Sequence, residues 1–359
     1  MQIILDNIIF SLQKSGGISV YWYELVNRFI NIKQDITFSF IEESEDKGNI
    51  FRSNLEINSN ILLYNYNSKK KMSRYREVDL DIKQNTFIFH SSYYRTLNKK
   101  VKKNNSVKEV VTVHDFTYEH FSTGLKKWVS IYQKKKAIKA ADAVICISEN
   151  TKKDLLFFYP QFSDKNIIVI HNGVSQDYFR IPNIITSISD TPFFLFVGSR
   201  ADYKNFYFTV EAVAQTNDFC LKIVGGGVSP KELILLNSLI KGRWEILIDL
   251  DNEKLNVLYN TAFALIYPSF YEGFGIPLVE AMKAGCPFIA FNGSSIPEVV
   301  GSAGILIDEL EIKKFNDAVL KIKREREEII KIGINQAENF SWEKCYQQTL
   351  EVYSSLYKL

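Results

Sequence analysis

The chain has 359 residues, of which 46% are apolar and 24% charged; that balance excludes a disordered chain, and the length exceeds what one ordinary core uses. The net charge is only +3, no apolar run approaches the roughly 20 residues of a membrane-spanning helix, and no nucleic-acid-binding motif accompanies the basic residues. Two soluble domains are therefore expected.

In chain order, the opening MQIILDNIIFSLQKSGG carries no basic leader and meets Asp6 early, so it does not read as a signal peptide and a cytoplasmic location is expected. Strand-like apolar runs lie at 3–6, 36–41, 86–91, 109–115, 143–148 and 166–171, with amphipathic stretches at 19–32 and 128–141 between them. Such alternation predicts parallel sheets covered by helices. Residues 179–192, FRIPNIITSISDTP, hold two prolines and no clear period, and read as a linker. The alternation restarts with strands at 193–198, 220–227, 244–250, 262–268 and 287–291 and helices near 205–216, 229–240, 252–260 and 277–285, a doubly wound α/β pattern. The last stretch, WEKCYQQTLEVYSSLY (342–357), has helical spacing that suits either its own domain or the first. The division expected is 1–178, 179–340 and 341–359, the last crossing back to the first.

The four cysteines, at 146, 220, 286 and 345, form no CxxC pair. They read as small buried apolar residues in a reducing compartment rather than as metal ligands. Charge is unevenly spread: residues 1–178 carry 26 Lys and Arg against 19 Asp and Glu, a net of +7, while the remainder is −4. The excess clusters at 68–76, 99–103 and 134–136. Solvated helix faces explain such runs; attraction to an anionic membrane or a phosphorylated acceptor is the sharper reading. Lys69, Lys70, Lys71, Arg74, Arg76, Lys99, Lys100, Lys102 and Lys103 are its candidates, with Met72, Tyr75, Tyr93 and Tyr94 as neighbouring anchors.

The densest chemistry is in YPSFYEGFGIPLVEAMKAGCP (267–287). A strand ending at Tyr267 enters a glycine-bearing loop and then a helix beginning near Pro277. Loops at the carboxyl ends of parallel strands bind ligands in open α/β sheets, and a helix N-terminus offers N–H groups to phosphate. Gly273 and Gly275 allow a ligand close to the backbone. Glu272 on the loop and Glu280 on the helix can both reach hydroxyls of one extended ligand. Gly16 and Gly17 lie between the first strand and a helix, GGG at 225–227 follows a strand, and Lys204 precedes Asn205 at a predicted helix start. His114 and His90 each end an apolar run. His90, with Tyr93, is a candidate for the acceptor side. Asp249-Leu250-Asp251 spells a DxD metal motif, but carboxylates before a helix also serve as an N-cap, and Asp79-Leu80-Asp81 repeats the pattern elsewhere.

This segment resembles the signature of the retaining glycosyltransferase family 4, whose fold is GT-B, with two Rossmann-like domains. GGISVYWYEL (16–25), VTVHD (111–115), AVICISENTKKDL (143–155), IHNGV (170–174) and FVGSRADYKN (196–205) resemble other family markers in the same order. The resemblance implies roles for individual residues. Glu280 binds ribose hydroxyls, and Glu272 contacts the transferred sugar. The backbone of Phe274, Gly275 and Ile276, with Gly273 and Leu278, lines the sugar and phosphate. Lys204 and Arg200, on the segment opened by Gly198, hold the diphosphate. His114 positions the donor sugar, and Gly16 and Gly17 approach the diphosphate. Gly225 and Gly226 lie near the nucleotide, with Asp249, Leu250 and Leu255 near the base. No metal or other cofactor is implied, and the DxD pattern is discounted.

The donor would bind mainly the second domain and the acceptor the first, with closure about a 172–192 hinge. DNIIFSLQKSGGISVYW and GSRADYKNF are similar to members that build bacterial surface polysaccharides, including O-antigen mannosyltransferases. That implies a GDP-mannose-like donor, with a UDP-sugar second, and a glycan or lipid-linked diphosphate oligosaccharide as acceptor. A nucleotide-sugar 2-epimerase of the same fold and a non-catalytic nucleotide-sugar-binding subunit are the alternatives.

Overall fold

The computed structural model describes residues 1–31, 36–43, 48–65, 72–82, 86–182 and 191–357, with only the backbone of Lys126. Lys69, Lys70 and Lys71, and residues 183–190 of the expected linker, lie outside the described residues. The chain divides into two compact units, Met1–Gly173 with Trp342–Leu359, and Val174–Ser341.

The first unit holds β1 (Gln2–Asp6), β2 (Thr37–Ile41), β3 (Leu62–Leu63), β4 (Thr86–Ser91), β5 (Ser106–Val113), β6 (Ala143–Cys146) and β7 (Asn166–Val169). They form one parallel sheet in the order β3-β2-β1-β4-β5-β6-β7. Strands β1, β4 and β6 read as continuous apolar runs because helices cover both faces of the sheet. Helix Gly17–Asn31 buries Tyr21, Trp22, Leu25, Val26 and Phe29, at the three- and four-residue spacing of one helical stripe. Helix Trp342–Tyr357 lies in the same core, contributing Trp342, Tyr346, Tyr353 and Leu356. Each such side chain fully removed from water stabilises by roughly 1.5–3 kcal/mol.

The second unit holds β8 (Phe193–Val197), β9 (Cys220–Val224), β10 (Trp244–Leu247), β11 (Ala264–Tyr267), β12 (Phe288–Phe291) and β13 (Ile305–Ile307), again all parallel, in the order β10-β9-β8-β11-β12-β13. Its core joins Phe194, Phe196, Leu221, Ile266 and Ile289 from the sheet to Phe206, Leu236 and Phe315 from helices. The helix starts follow local chemistry. Ser229 and Glu232 form a reciprocal capping box with Pro230 in the first turn, and Ser148 accepts from the amide of Thr151. Strands β3 and β13 and helix Ile312–Ala337 were not among the expected elements.

The second unit begins at Val174, ahead of the expected 179. Residues 175–181 are held to its helices: Lys283 Nζ donates to the Ser175 carbonyl at 2.9 Å, and the Phe179 amide to Asn256 Oδ1 at 3.1 Å. All four cysteines are free, three of them buried. Among the described residues, no helix is long and apolar enough to cross a membrane.

Candidate active site

Both sheets reverse their strand order once, between β1 and β4 in the first unit and between β8 and β11 in the second. At such a switch point the loops leaving neighbouring strands run apart and open a crevice beyond the carboxyl ends.

In the second unit the loop after β8 carries Gly198, Arg200 and Lys204, and the loop after β11 carries Glu272 to Gly275. Asn205 ties the two together: it has a left-handed backbone (φ 50°) and donates from Nδ2 to the Pro268 carbonyl at 2.8 Å. The Phe270 amide donates back to the Tyr203 carbonyl at 2.8 Å. Across this bridge Lys204 Nζ meets Glu272 Oε1 at 2.7 Å, each side chain about one-eighth exposed at 13%. Tyr267, buried beneath, hydrogen-bonds Glu272, and burial followed by that carboxylate raises its pKa well above the ordinary value.

Arg200 is also ordered in advance. Its Nε donates to Glu232 Oε1 at 2.7 Å, and its Nη2 to the Gly226 and Gly227 carbonyls at 2.7 and 2.5 Å. Its buried Nη1 has no partner among the described residues. Gly225 has φ 155°, and a Cβ there would stand 2.6 Å from the Gly198 carbonyl oxygen, so the β8 and β9 loops touch only because it is glycine.

Gly275 (φ 97°) precedes helix Ile276–Ala284, with Pro277 in its first turn. Phe274 and Leu278 are buried; the ring of Phe274 packs edge-on to Phe340 at 5.5 Å. The expectation that Leu278 lines the ligand is corrected: its side chain is in the core, and its amide already donates to the Gly275 carbonyl at 2.9 Å. The signature loop is pinned from β12. Ser294 Oγ accepts from the Glu272 amide at 2.9 Å, and Ser295 Oγ donates to the Glu272 carbonyl at 2.9 Å and the Phe274 carbonyl at 3.1 Å.

Glu280, in the middle of helix Ile276–Ala284, keeps a little solvent access. The Tyr259 hydroxyl donates to its Oε2 at 2.9 Å. Burial pushes the Glu280 carboxyl up to about 7, against the hydrogen bonds of Tyr259 and Tyr178, which lower it. Sequence reasoning missed Tyr259, Tyr267, Ser294 and Ser295. Only the Ser pair carried a signal, a polar Gly-Ser loop between a strand and a proline-led helix.

Asp251 caps helix Asn252–Thr261, its side chain accepting from the Lys254 amide. Asp249 is exposed and left-handed (φ 54°), and Leu250 and Leu255 are half-buried beside it. The N-cap explanation of the DxD pattern therefore has a geometric basis.

In the first unit, Gly16 (φ 153°) and Gly17 open helix Gly17–Asn31. Gln13 Nε2 donates to Ser19 Oγ at 2.7 Å, closing this turn. His114, one residue past β5, is buried with its ring edge-on to Tyr21 at 4.9 Å. Burial lowers its pKa to about 4; Asp115 works upward and Lys134 downward. It is therefore neutral near pH 7.

His90 is corrected from an acceptor-side residue to a core histidine. It is 0% exposed, and its ring nitrogens meet the Tyr353 hydroxyl at 2.5 Å and Thr112 Oγ1 at 3.0 Å. Burial, then His114, lowers its pKa to about 3. Tyr93, two residues past β4, is half-buried with the Arg74 guanidinium 5.2 Å from its ring centre. Lys134 of the basic run is buried, paired with Glu119 at 2.8 Å, and Tyr94 is buried too. Lys102 pairs with Glu109.

Residues 15–178 match the model of Glycosyltransferase Family 4, and residues 177–339 that of Glycosyl transferases group 1. The chain is 42% identical over 108 residues to the O-antigen chain mannosyltransferase B of Escherichia coli, an alignment spanning 29% of this chain and 28% of that protein. It is 27% identical over 222 residues to the O-antigen chain mannosyltransferase RfbU of Salmonella typhimurium, spanning 60% and 61%. Among solved structures, sucrose-phosphate synthase of Thermosynechococcus elongatus superposes with a TM-score of 0.78 at 18% identity, covering 100% of this chain and 99% of that one.

Proposed function

The chain belongs to glycosyltransferase family 4 and has the GT-B fold, and from that premise we propose that it transfers a hexose, with retention and without a metal, from a nucleoside-diphosphate sugar to a glycan or lipid-linked acceptor of a bacterial surface polysaccharide. A GDP-mannose-like donor is favoured, because two relatives carry the name O-antigen mannosyltransferase. A UDP-sugar is the second choice.

The observation that carries this reading is the cation and carboxylate set at the β8/β11 switch point. Lys204 and the unpartnered Nη1 of Arg200 supply positive charge where a diphosphate would lie. Charge placed in advance against a leaving group that grows more negative stabilises the transition state more than the ground state. On donor binding, Lys204 exchanges Glu272 for phosphate oxygen, and Glu272 is released to the sugar hydroxyls. Glu280 takes the ribose hydroxyls. The backbone of Gly273 to Ile276 lines the sugar and phosphate, and Gly198, Gly225 and Gly226 admit the nucleotide closely. Asp249, Leu250 and Leu255 border the base. In the first unit, Tyr93 stands on the acceptor side.

The glycosyl–phosphate bond breaks with oxocarbenium character. The acceptor hydroxyl forms the new C–O bond on the same face and gives its proton to the leaving phosphate oxygen. With Asp251 engaged as a cap, the two side-chain cations replace a metal.

The test is a panel of GDP- and UDP-sugars, incubated with and without acceptor and with EDTA. Acceptor-dependent release of nucleoside diphosphate, a product of unchanged anomeric configuration and indifference to EDTA are expected. Conversion of donor alone would favour the epimerase. Binding without turnover would favour the non-catalytic subunit. Loss on chelation restored by manganese would return the metal role to Asp249 and Asp251.

A further inference from the structure

Helix Gly124–Ala140 carries two apolar faces, one buried and one exposed. Ala137 and Ile138 are buried against the first unit, whereas Leu125, Trp128 and Tyr132 form a second apolar stripe at three- and four-residue spacing. These three are 79%, 69% and 68% exposed. Met72 (69% exposed) and Tyr75 (43%) line the same groove of about 890 Å³, which also reaches Tyr94 and Tyr118 beyond the carboxyl ends of β4 and β5. A contiguous patch of this kind on a folded domain marks an interaction surface rather than ordinary scatter.

The surrounding charge narrows the partner. Residues 120–141 contain six lysines and no Asp or Glu, and residues 57–76 likewise contain no acid. Arg74, Arg76 and Lys136 line the groove. Among the described residues that line it, the one carboxylate, Glu77, is paired with Lys136 at 2.7 Å. Trp and Tyr with an apolar body and a polar edge, ringed by Lys and Arg, fit the headgroup boundary of an anionic bilayer. A second copy offering the same basic rim would be repelled.

We propose that the Leu125–Trp128–Tyr132 face, with Met72 and Tyr75, docks the first unit on an anionic lipid surface. This goes beyond the transferase reading and does not depend on which sugar is moved. Of the residues the sequence offered for such a contact, Met72, Arg74, Tyr75 and Arg76 line the groove, helix Lys99–Asn104 lines no part of it, and Tyr94 enters it only as a buried wall.

The experiment is co-sedimentation of the full chain with phosphatidylcholine vesicles, with and without phosphatidylglycerol, across a salt series. Quenching of tryptophan emission by brominated lipid is read in parallel. Trp128 is the most exposed tryptophan, so its quenching should disappear in Trp128→Phe. Binding should require phosphatidylglycerol and fade with salt. It should weaken about tenfold or more in Leu125→Ser with Trp128→Ser, from the lost burial of two large apolar side chains. Both sites are exposed, so an unchanged melting temperature is expected to accompany that loss. Failure to bind phosphatidylglycerol vesicles at low salt, or binding unaltered in the double variant, overturns the proposal. Concentration-dependent dimers abolished by the double variant, with no vesicle binding, would assign the face to a second copy and equally overturn it.

Discussion

At the scale of residues, the second unit's site is a set of charges held in waiting by one another. Glu280 makes this testable through pH. Its carboxyl sits near 7 in the folded protein, above its ordinary value. A raised acid contributes stability that is complete below the unfolded pKa and lost as pH rises through the folded one. The ligand-free protein should therefore lose stability between about pH 4.5 and 7 through this group, and Glu280→Gln should flatten that part of the profile in thermal melts. If the ionised carboxylate binds ribose, nucleotide affinity of the native protein should rise from pH 6 to 8, and that of Glu280→Gln should be weaker and flat. Calorimetric titration at the two pH values decides; equal slopes would remove Glu280 from the ribose. Lys204→Ala should lower turnover far more than it weakens nucleoside-monophosphate binding, since the lost cation faces the developing charge. Equal losses in monophosphate affinity, diphosphate affinity and turnover would count against that role.

At the scale of elements, the loops at the strand ends are fitted by glycine geometry and hydroxyl pins rather than by long-range packing. Gly225→Ala drives a Cβ to 2.6 Å from the Gly198 carbonyl at φ 155°. Such strain costs roughly 1–3 kcal/mol and moves the turn that Arg200 holds. Thermal unfolding should fall and donor affinity should drop with it. Gly226→Ala is the control for thermal unfolding alone, because nothing in the protein lies within 4 Å of its added Cβ. A Gly225→Ala protein with native melting temperature and affinity would show that the β8 and β9 loops do not constrain each other.

At the scale of the molecule, the two units are unequal in their continuity. Val174–Ser341 is one unbroken stretch, whereas the first unit needs residues from both ends of the chain. Trp342, Tyr346 and Tyr353 are buried in its core, and Tyr353 stacks with Phe29 at 6.0 Å and hydrogen-bonds His90. A fragment of residues 174–341 should unfold cooperatively in calorimetry. A fragment of residues 1–173 should not, until helix 342–357 is supplied in cis through a linker. Cooperative unfolding of 1–173 at full stability would refute this.

Much of this was legible in order along the chain. Apolar runs at strand length separated by helical periods specify parallel sheets wherever both faces must be covered, and the EGFGIPLVE stretch carries its glycines, proline and carboxylates in one local segment. Short β3 and half-exposed β13 left weaker patterns; helix Ile312–Ala337 carries a clear apolar stripe, Phe315, Ala318, Val319 and Ile322, but no motif that singled it out. What the sequence by itself determined was therefore whatever depends on neighbours in the chain: strand and helix periods, turns, caps and the signature loop. The tertiary structure alone decided that His90 is a core residue, that Leu278 faces inward, that Tyr259 meets Glu280, and that Trp128 stays at the surface while Lys134 does not. A side chain's burial and partners are set by elements tens or hundreds of residues away, and no local period records which of two apolar helix faces another element will cover.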